Sequence, residues 1–298
     1  MNVPRGPALR PEVTALQGPP LSVPVRIEQP FLCGRERPGN PLALADPASS
    51  LGWRELEQAT TALAATYRGL GLQRGDRLAT LLPNQLELMV SDLACLQAGL
   101  VICPLNYRYA APEIDHVLNL VQPALLLADP SRAPLLDACN WRGPHPPLMV
   151  EAGSGWRRLW AEPRGPATPS APVPDAGQPH EAALIYFTSG TTGHPKAVTH
   201  TRSSLGVMLA SQEQVLGLGT GDRLLVTSSM AHMSASMTGL AALLAGATLI
   251  TPHSGASDEL LQLLRRHRPT VMAILPPALM ALIRDPRVAP TTWPACGW

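Results

Sequence analysis

The stretch YFTSGTTGHPKAVTHT, residues 186–201, brings together the groups that a polyphosphate needs. Gly190 and Gly193 tolerate backbone angles that other residues resist, and they let the main chain approach a ligand closely. Successive N–H groups in such a loop form a concave nest for anionic oxygens. Thr188, Ser189, Thr191 and Thr192 add hydroxyl donors. Lys196 adds a compact charge on a flexible stem, and it is the only lysine in the chain, because the other 22 of the 23 basic residues are arginine. An ammonium fits a crowded triphosphate where the wide planar fork of a guanidinium does not.

Two other readings compete with this one. The first is a plain Ser/Thr/Gly surface turn, against which stands the coincidence of glycines, hydroxyls and a sole lysine directly after an apolar strand. The second is a P-loop. That motif puts its lysine immediately after glycine and starts a helix there. Here Pro195 intervenes, Ala197 follows the lysine, and KAVTHT reads as a strand.

The surrounding pattern supplies the elements that must hold this loop. Leu56, Thr60, Leu63, Tyr67 and Leu70 recur at helical spacing from Trp53, with Gly69 and Gly71 ending the helix. RLATLL (77–82) reads as a strand. Asn84 then reads as an N-cap with Glu87 three residues on, for a helix running to Gly99. LVICPL (100–105) and ALLLAD (124–129) are strands, and between them lies a helix with Pro112 in its first turn, stopping before Pro123. From about 140 to 181 the pattern dissolves into a proline-rich segment. Alternation then resumes. ALIYFTS (183–189) and KAVTHT are strands, SSLGVMLASQEQVLGL a helix, RLLVTSS (223–229) a strand, and about 235–245 a helix closed by Gly246. ATLIT (247–251) is a strand, SDELLQLLRRH (257–267) a helix, and TVMAIL (270–275) a strand. Apolar runs alternating with amphipathic helices predict βαβ units and mostly parallel sheet. The expected organisation is a flexible lead over 1–24, then two α/β subdomains, about 25–139 and 182–298, joined by 140–181.

Composition narrows the function classes. With 45% hydrophobic and 15% charged residues over 298 positions, a large core is expected. The formal net charge of +1 and the scattered arginines argue against nucleic acid as a partner. Apolar stretches such as GLAALLAGATLI (239–250) stop well short of the roughly 20 residues of a membrane span. Five cysteines without zinc spacing, and no signal-peptide pattern, read as reduced thiols in a cytoplasmic protein.

YFTSGTTGHPKAV closely resembles the phosphate-binding signature of the adenylate-forming (AMP-binding) superfamily, of the acyl-CoA synthetase or fatty-acid–CoA ligase type. GLGLQRGDRLATLLPN (69–84), AGLVICPLNYRY (98–109) and SSMAHMSASMTGLAALLAGATLI (228–250) resemble further parts of it, so that the likeness runs from about Leu51 to Pro286. One departure is Ala197, where the family commonly has glycine. The resemblance implies an α/β fold made of two stacked α/β subdomains of the family's large N-terminal domain, incomplete at the C-terminal side and without the small C-terminal domain. It implies activation of a carboxylic acid by ATP, with Mg2+, to an acyl-adenylate, followed by transfer to coenzyme A. By this resemblance Thr188, Ser189, Gly190, Thr191, Thr192, Gly193 and Lys196 hold the β- and γ-phosphates, and His232 lies near the carboxylate, with Met230, Met233 and Met237 either lining an apolar acid pocket or packing in the core. His232 otherwise reads as an ordinary polar residue at a strand-to-helix turn. The family's second lysine, adenine platform, ribose aspartate and metal glutamate have no counterpart in these 298 residues. The expectation is therefore a ligase by family that is inactive as this piece. The alternative is a non-catalytic polypeptide that at most binds nucleotide phosphates weakly.

Overall fold

The computed structural model describes residues 41–151, 177–188 and 194–288. Eleven strands and eight helices alternate along them. The first half holds β1 (Leu42–Ala45), β2 (Ser50–Gly52), α1 (Trp53–Gly69), β3 (Arg77–Leu81), α2 (Leu86–Ala98), β4 (Val101–Pro104), α3 (Ala111–Val121), β5 (Leu125–Ala128), α4 (Ala133–Asp137) and β6 (Leu148–Met149). The second half holds β7 (Ala182–Thr188), β8 (Lys196–Thr201), α5 (Arg202–Leu216), β9 (Arg223–Val226), α6 (Met233–Leu244), β10 (Thr248–Ile250), α7 (Ser257–His267), β11 (Val271–Ala273) and α8 (Pro276–Arg284).

Two sheets form, in the orders β6-β5-β3-β4-β7-β8 and β11-β9-β10-β1-β2. All pairs are parallel except the β7–β8 and β1–β2 hairpins. Each sheet draws strands from both sides of the proline-rich segment. β1 and β2 join the sheet built mainly from residues beyond 222, while β7 and β8 extend the sheet begun by β3.

The strand pattern explains the layering. Side chains alternate across a strand, so a strand buried on both faces must be apolar at every position. In β5, Leu125 and Leu127 face the inner core while Leu126 and Ala128 face the outer one. In β9, Leu224 and Val226 face inward and Leu225 outward. The inner core lies between the sheets and is filled by α1, α2, α5 and α6. Helix α3 covers the outer face of the six-stranded sheet, and α7 with α8 covers that of the five-stranded sheet. The result is two stacked α/β layers, as the resemblance implied. α2 sits deepest, buried on nearly every side, and it carries three buried polar residues, Glu87, Ser91 and Asp92.

Helix ends follow their local chemistry. The carboxylates of Glu55 and Glu113 accept from Gly52 N and Ala110 N at 2.7 and 2.9 Å, bracing the starts of α1 and α3. Gly99 ends α2 in the left-handed region at φ 77°, where a side chain would be strained. One expected cap is corrected. α2 starts after Gln85, and Asn84 does not cap it. The predicted patternless segment also contains β6. No described helix is long and apolar enough to cross a membrane.

Candidate functional site

Strand β7 leads into the glycine- and hydroxyl-rich segment. Its residues Ala183–Tyr186 are buried between β4 and β8, and its last residue, Thr188, is exposed. β8 returns antiparallel along the sheet edge, exposed over its first four residues. Lys196 opens β8 directly across from Thr188. The two described members of the predicted phosphate set therefore stand opposite each other, at the two ends of the intervening segment. Ser189, Gly190, Thr191, Thr192 and Gly193 lie outside the described residues. Pro195 is buried behind Lys196, and its carbonyl lies 3.1 Å from His116 Nε2 on α3.

His232 follows a strand of the other sheet, β9. It is the N-cap residue of α6, exposed, with extended backbone and no side-chain cap. Its N–H donates to Ser229 O at 3.0 Å, and its carbonyl accepts from Ser236 N at 3.1 Å. The turn that carries it continues from the carboxyl end of β9. Strands β1, β9, β10 and β11 run parallel, so their carboxyl ends share one edge, which is where open α/β sheets bind ligands. Thr227–His232, Thr251–His253, Asp46 and Leu275 follow those strand ends. Of the three methionines near His232, Met230 and Met237 are core residues, and Met233 is exposed. Tyr186 of β7, two residues before Thr188, faces Ser236 on α6, one turn beyond His232. Burial raises the Tyr186 phenol. Strand β7 and the His232 helix share the inner core, through Tyr186 on the one and Ala235 and Met237 on the other.

Two side chains missed by sequence reasoning hold this edge together. The first is Asn84. Its Nδ2 donates to Ser228 O at 2.7 Å, and its Oδ1 accepts from Met230 N at 2.8 Å. One buried amide thus grips both sides of the His232 turn from across the inner layer. The only sequence signal was an Asn before a helix, which local capping explained equally well. Asn84→Ala leaves the buried N–H of Met230 and the half-buried C=O of Ser228 without that partner, and a fully buried group left so costs about 1–3 kcal/mol. The expected result is a stability loss of about 2–4 kcal/mol by urea unfolding. A loss below about 0.5 kcal/mol would mean that water replaces the amide without penalty.

The second is Asp46. Its Oδ1 accepts from Ala48 N and Ser49 N, and its Oδ2 accepts from Leu86 N at 3.0 Å, at the start of α2. His253 Nε2 lies 3.3 Å from the same Oδ2, with Glu259 Oε1 3.9 Å from its Nδ1. Burial pushes Asp46 up, but His253 and the backbone donors outweigh it, and the carboxyl ends below its ordinary value. Burial likewise raises Glu259, and its bonds from Ser254, His253 and Gly255 bring it below. The Asp46 carboxylate raises His253. A raised imidazole contributes stability that is full below its unfolded value and is lost as pH rises through the folded one. The depressed carboxylates lose theirs as pH falls through their folded values. The ionic lock is therefore complete in mildly acidic solution. His253→Gln is expected to lower the unfolding midpoint more at pH 5.5 than at pH 8.5, and equal losses at both would contradict the lock.

Among the described residues no group of three or more His, Cys, Asp or Glu side chains could hold a metal ion.

The family model for AMP-binding enzymes matches residues 33–293. The long-chain-fatty-acid–CoA ligase FadD13 of Mycobacterium tuberculosis is 30% identical over 226 residues, which cover 76% of this chain and 44% of that protein. A feruloyl-CoA synthase from Amycolatopsis is 29% identical over 249 residues, covering 82% and 48%. A 4-hydroxybenzoate–CoA/benzoate–CoA ligase from Rhodopseudomonas palustris is 25% identical over 268 residues, covering 86% and 48%. The chain thus spans about half the length of these curated relatives. Among solved structures, ATP-bound MatB from Rhodopseudomonas palustris superposes with a TM-score of 0.74 at 23% identity, over 91% of this chain and 53% of that one. The inhibitor-bound N-terminal domain of FACL13 from Mycobacterium tuberculosis gives 0.74 at 24%, over 88% and 64%. These likenesses establish the fold.

Proposed function

The chain belongs to the AMP-binding enzyme family, and from that premise we propose that its residues form the phosphate-binding and acid-binding part of an ATP-dependent acid–CoA ligase. The observation that carries this reading is the sole lysine, set directly across from Thr188 where the hydroxyl- and glycine-rich segment leaves and rejoins the sheet. In the reaction a carboxylate oxygen bonds to the α-phosphorus of ATP as the bond from that phosphorus to the bridging oxygen breaks. Pyrophosphate leaves with its negative charge increased. The thiol of coenzyme A then displaces AMP from the acyl carbon. The first step depends on positioning and on charge stabilisation at the phosphate oxygens. Lys196 and the Thr188–Gly193 segment supply that stabilisation. His232 stands where the acid approaches, at the carboxyl edge of the parallel strands.

The acid in this reading is apolar, aliphatic or aromatic. No Asp, Glu, Lys or Arg occurs between Arg223 and Asp258, the stretch that holds His232 and Met233. An amino-acid substrate would bring an ammonium that needs a carboxylate partner. The ligase names of the relatives, for fatty and benzoic acids, support the same class. A cytoplasmic site of action accompanies the reading.

For the 298 residues alone, a weak phosphate binder without catalysis is the second reading, supported by their spanning about half of the relatives' length. The test joins both. A hybrid in which these residues replace the matching part of the mycobacterial ligase is expected to catalyse acid-dependent ATP–pyrophosphate exchange, fastest with fatty or aryl acids. The 298-residue chain alone is expected to show none, and to bind ATP at about millimolar concentration in phosphorus-31 titrations. ATP binding that is indifferent to Lys196→Ala would remove the phosphate reading. Preferred exchange with amino acids would remove the apolar one.

A further inference from the structure

The phosphate reading leaves open what sets the direction of Lys196, since β8 lies at the sheet edge and is exposed where the lysine begins. The frame comes from α3. Ile114, Val117, Leu118 and Val121 are buried on the outer face of the six-stranded sheet, among Ala79, Leu81, Leu126 and Ile185. That apolar stripe fixes the helix against the sheet and leaves His116 at its margin, half-buried and next to the start of β8.

His116 engages the chain just before the lysine in two ways. Its Nε2 is 3.1 Å from Pro195 O, and its ring lies 5.0 Å from the ring of His194, tilted by 34°. A carbonyl oxygen can only accept, so the proton must sit on Nε2 and the bond assigns the tautomer. Pro195 has a fixed φ and no N–H, so its carbonyl is its one main-chain anchor. That carbonyl shares a rigid peptide plane with the nitrogen of Lys196. Holding the oxygen therefore holds the origin of the lysine stem.

We infer that His116 is a positioning residue for Lys196, holding the Pro195–Lys196 peptide through its Nε2–H so that the ammonium projects toward a bound triphosphate. The inference rests on the phosphate reading above, and it concerns a helix outside the signature motif. Its chemistry needs only a neutral donor of the right reach. Glutamine meets that need, and alanine does not.

The test uses the 298-residue chain with ATP and tripolyphosphate as probes in phosphorus-31 titrations, with the thermal midpoint as the measure of folding. His116→Ala is expected to weaken both ligands about fivefold, the scale of one lost hydrogen bond, with little change in midpoint. His116→Gln is expected to restore most of the affinity. Long-range proton–nitrogen spectra of the unmodified chain are expected to place the His116 proton on Nε2. If Lys196→Ala weakens binding but His116→Ala does not, the positioning role is overturned while the phosphate reading stands. If neither weakens binding, the phosphate reading itself falls. If His116→Ala unfolds the chain, the glutamine variant and the tautomer decide. Failure of glutamine to restore binding, or a proton on Nδ1, overturns the role.

Discussion

Asp92→Asn is expected to stabilise the protein by several kcal/mol near pH 8 and by little near pH 4. Asp92 lies on α2, wholly buried, and burial lifts its carboxyl to about 8. Its Oδ1 makes no hydrogen bond among the described residues. In an unfolded chain the same group titrates near the ordinary aspartate value of about 4. Across that window the native state keeps a proton that the unfolded state gives up. Its contribution is therefore full below about pH 4, drains as pH rises, and is gone above about 8. Each tenfold difference in proton affinity between the two states is worth about 1.4 kcal/mol, so the whole effect is on the order of 5 kcal/mol. That rivals the total stability of many domains. Asparagine has nearly the shape of the protonated acid and cannot ionise. Urea unfolding of both proteins at pH 4.5 and pH 8 checks this, and parallel pH slopes would show that Asp92 is not desolvated as its burial indicates.

Lys196→Ala in the hybrid ligase is expected to slow acid-dependent pyrophosphate exchange by about 10²–10³, the usual effect of removing one preorganised charge-stabilising group. Lys196→Arg is expected to recover only part of the rate. Arginine keeps the charge but brings a fork where the chain, rich in arginine everywhere else, has a point charge. Single-turnover measurements separate the chemical step from binding. Full recovery by arginine would mean that charge alone matters, and the single lysine would lose its mechanistic meaning.

Much of this architecture was legible in the sequence, and the exceptions share a cause. Long periodic segments such as α1, α3 and α7 carry their own signal, and α7 coincides with the predicted 257–267. Strands flanked by glycine or proline were also readable, although β9 and β11 stop earlier than their apolar runs because their pairing partners stop. β1 and β2 were not readable. Four and three residues long, they have no periodicity of their own and exist through partners far along the chain. α8 was not predicted, although Pro276 and Pro277 open it and suit a helix's first turn. At the site, Lys196 and Thr188 were visible as types and spacing, whereas Asn84, Asp46 and His116 act through neighbours that only folding brings near. Asn84 is the sharpest case. A local cap and a bond 146 residues away satisfy the same amide, and the distant partner prevails.

The placement of β1 also sets a clock. The hydroxyl of Thr248 donates to Leu42 O across 206 residues, beside the parallel pairing of Leu44 with Leu249. A ribosome adding about 5–20 residues per second needs roughly 10–40 s to supply the partner of a strand made near the start. During that interval LALA has only the short β2 to pair with, while β3, β4 and β5 can already pair among themselves. The six-stranded sheet can thus begin to assemble during synthesis, whereas β1 must wait for β10 to emerge. Slow codons or a chaperone acting on the early chain would bear on the five-stranded sheet first, and with it on the edge that carries His232.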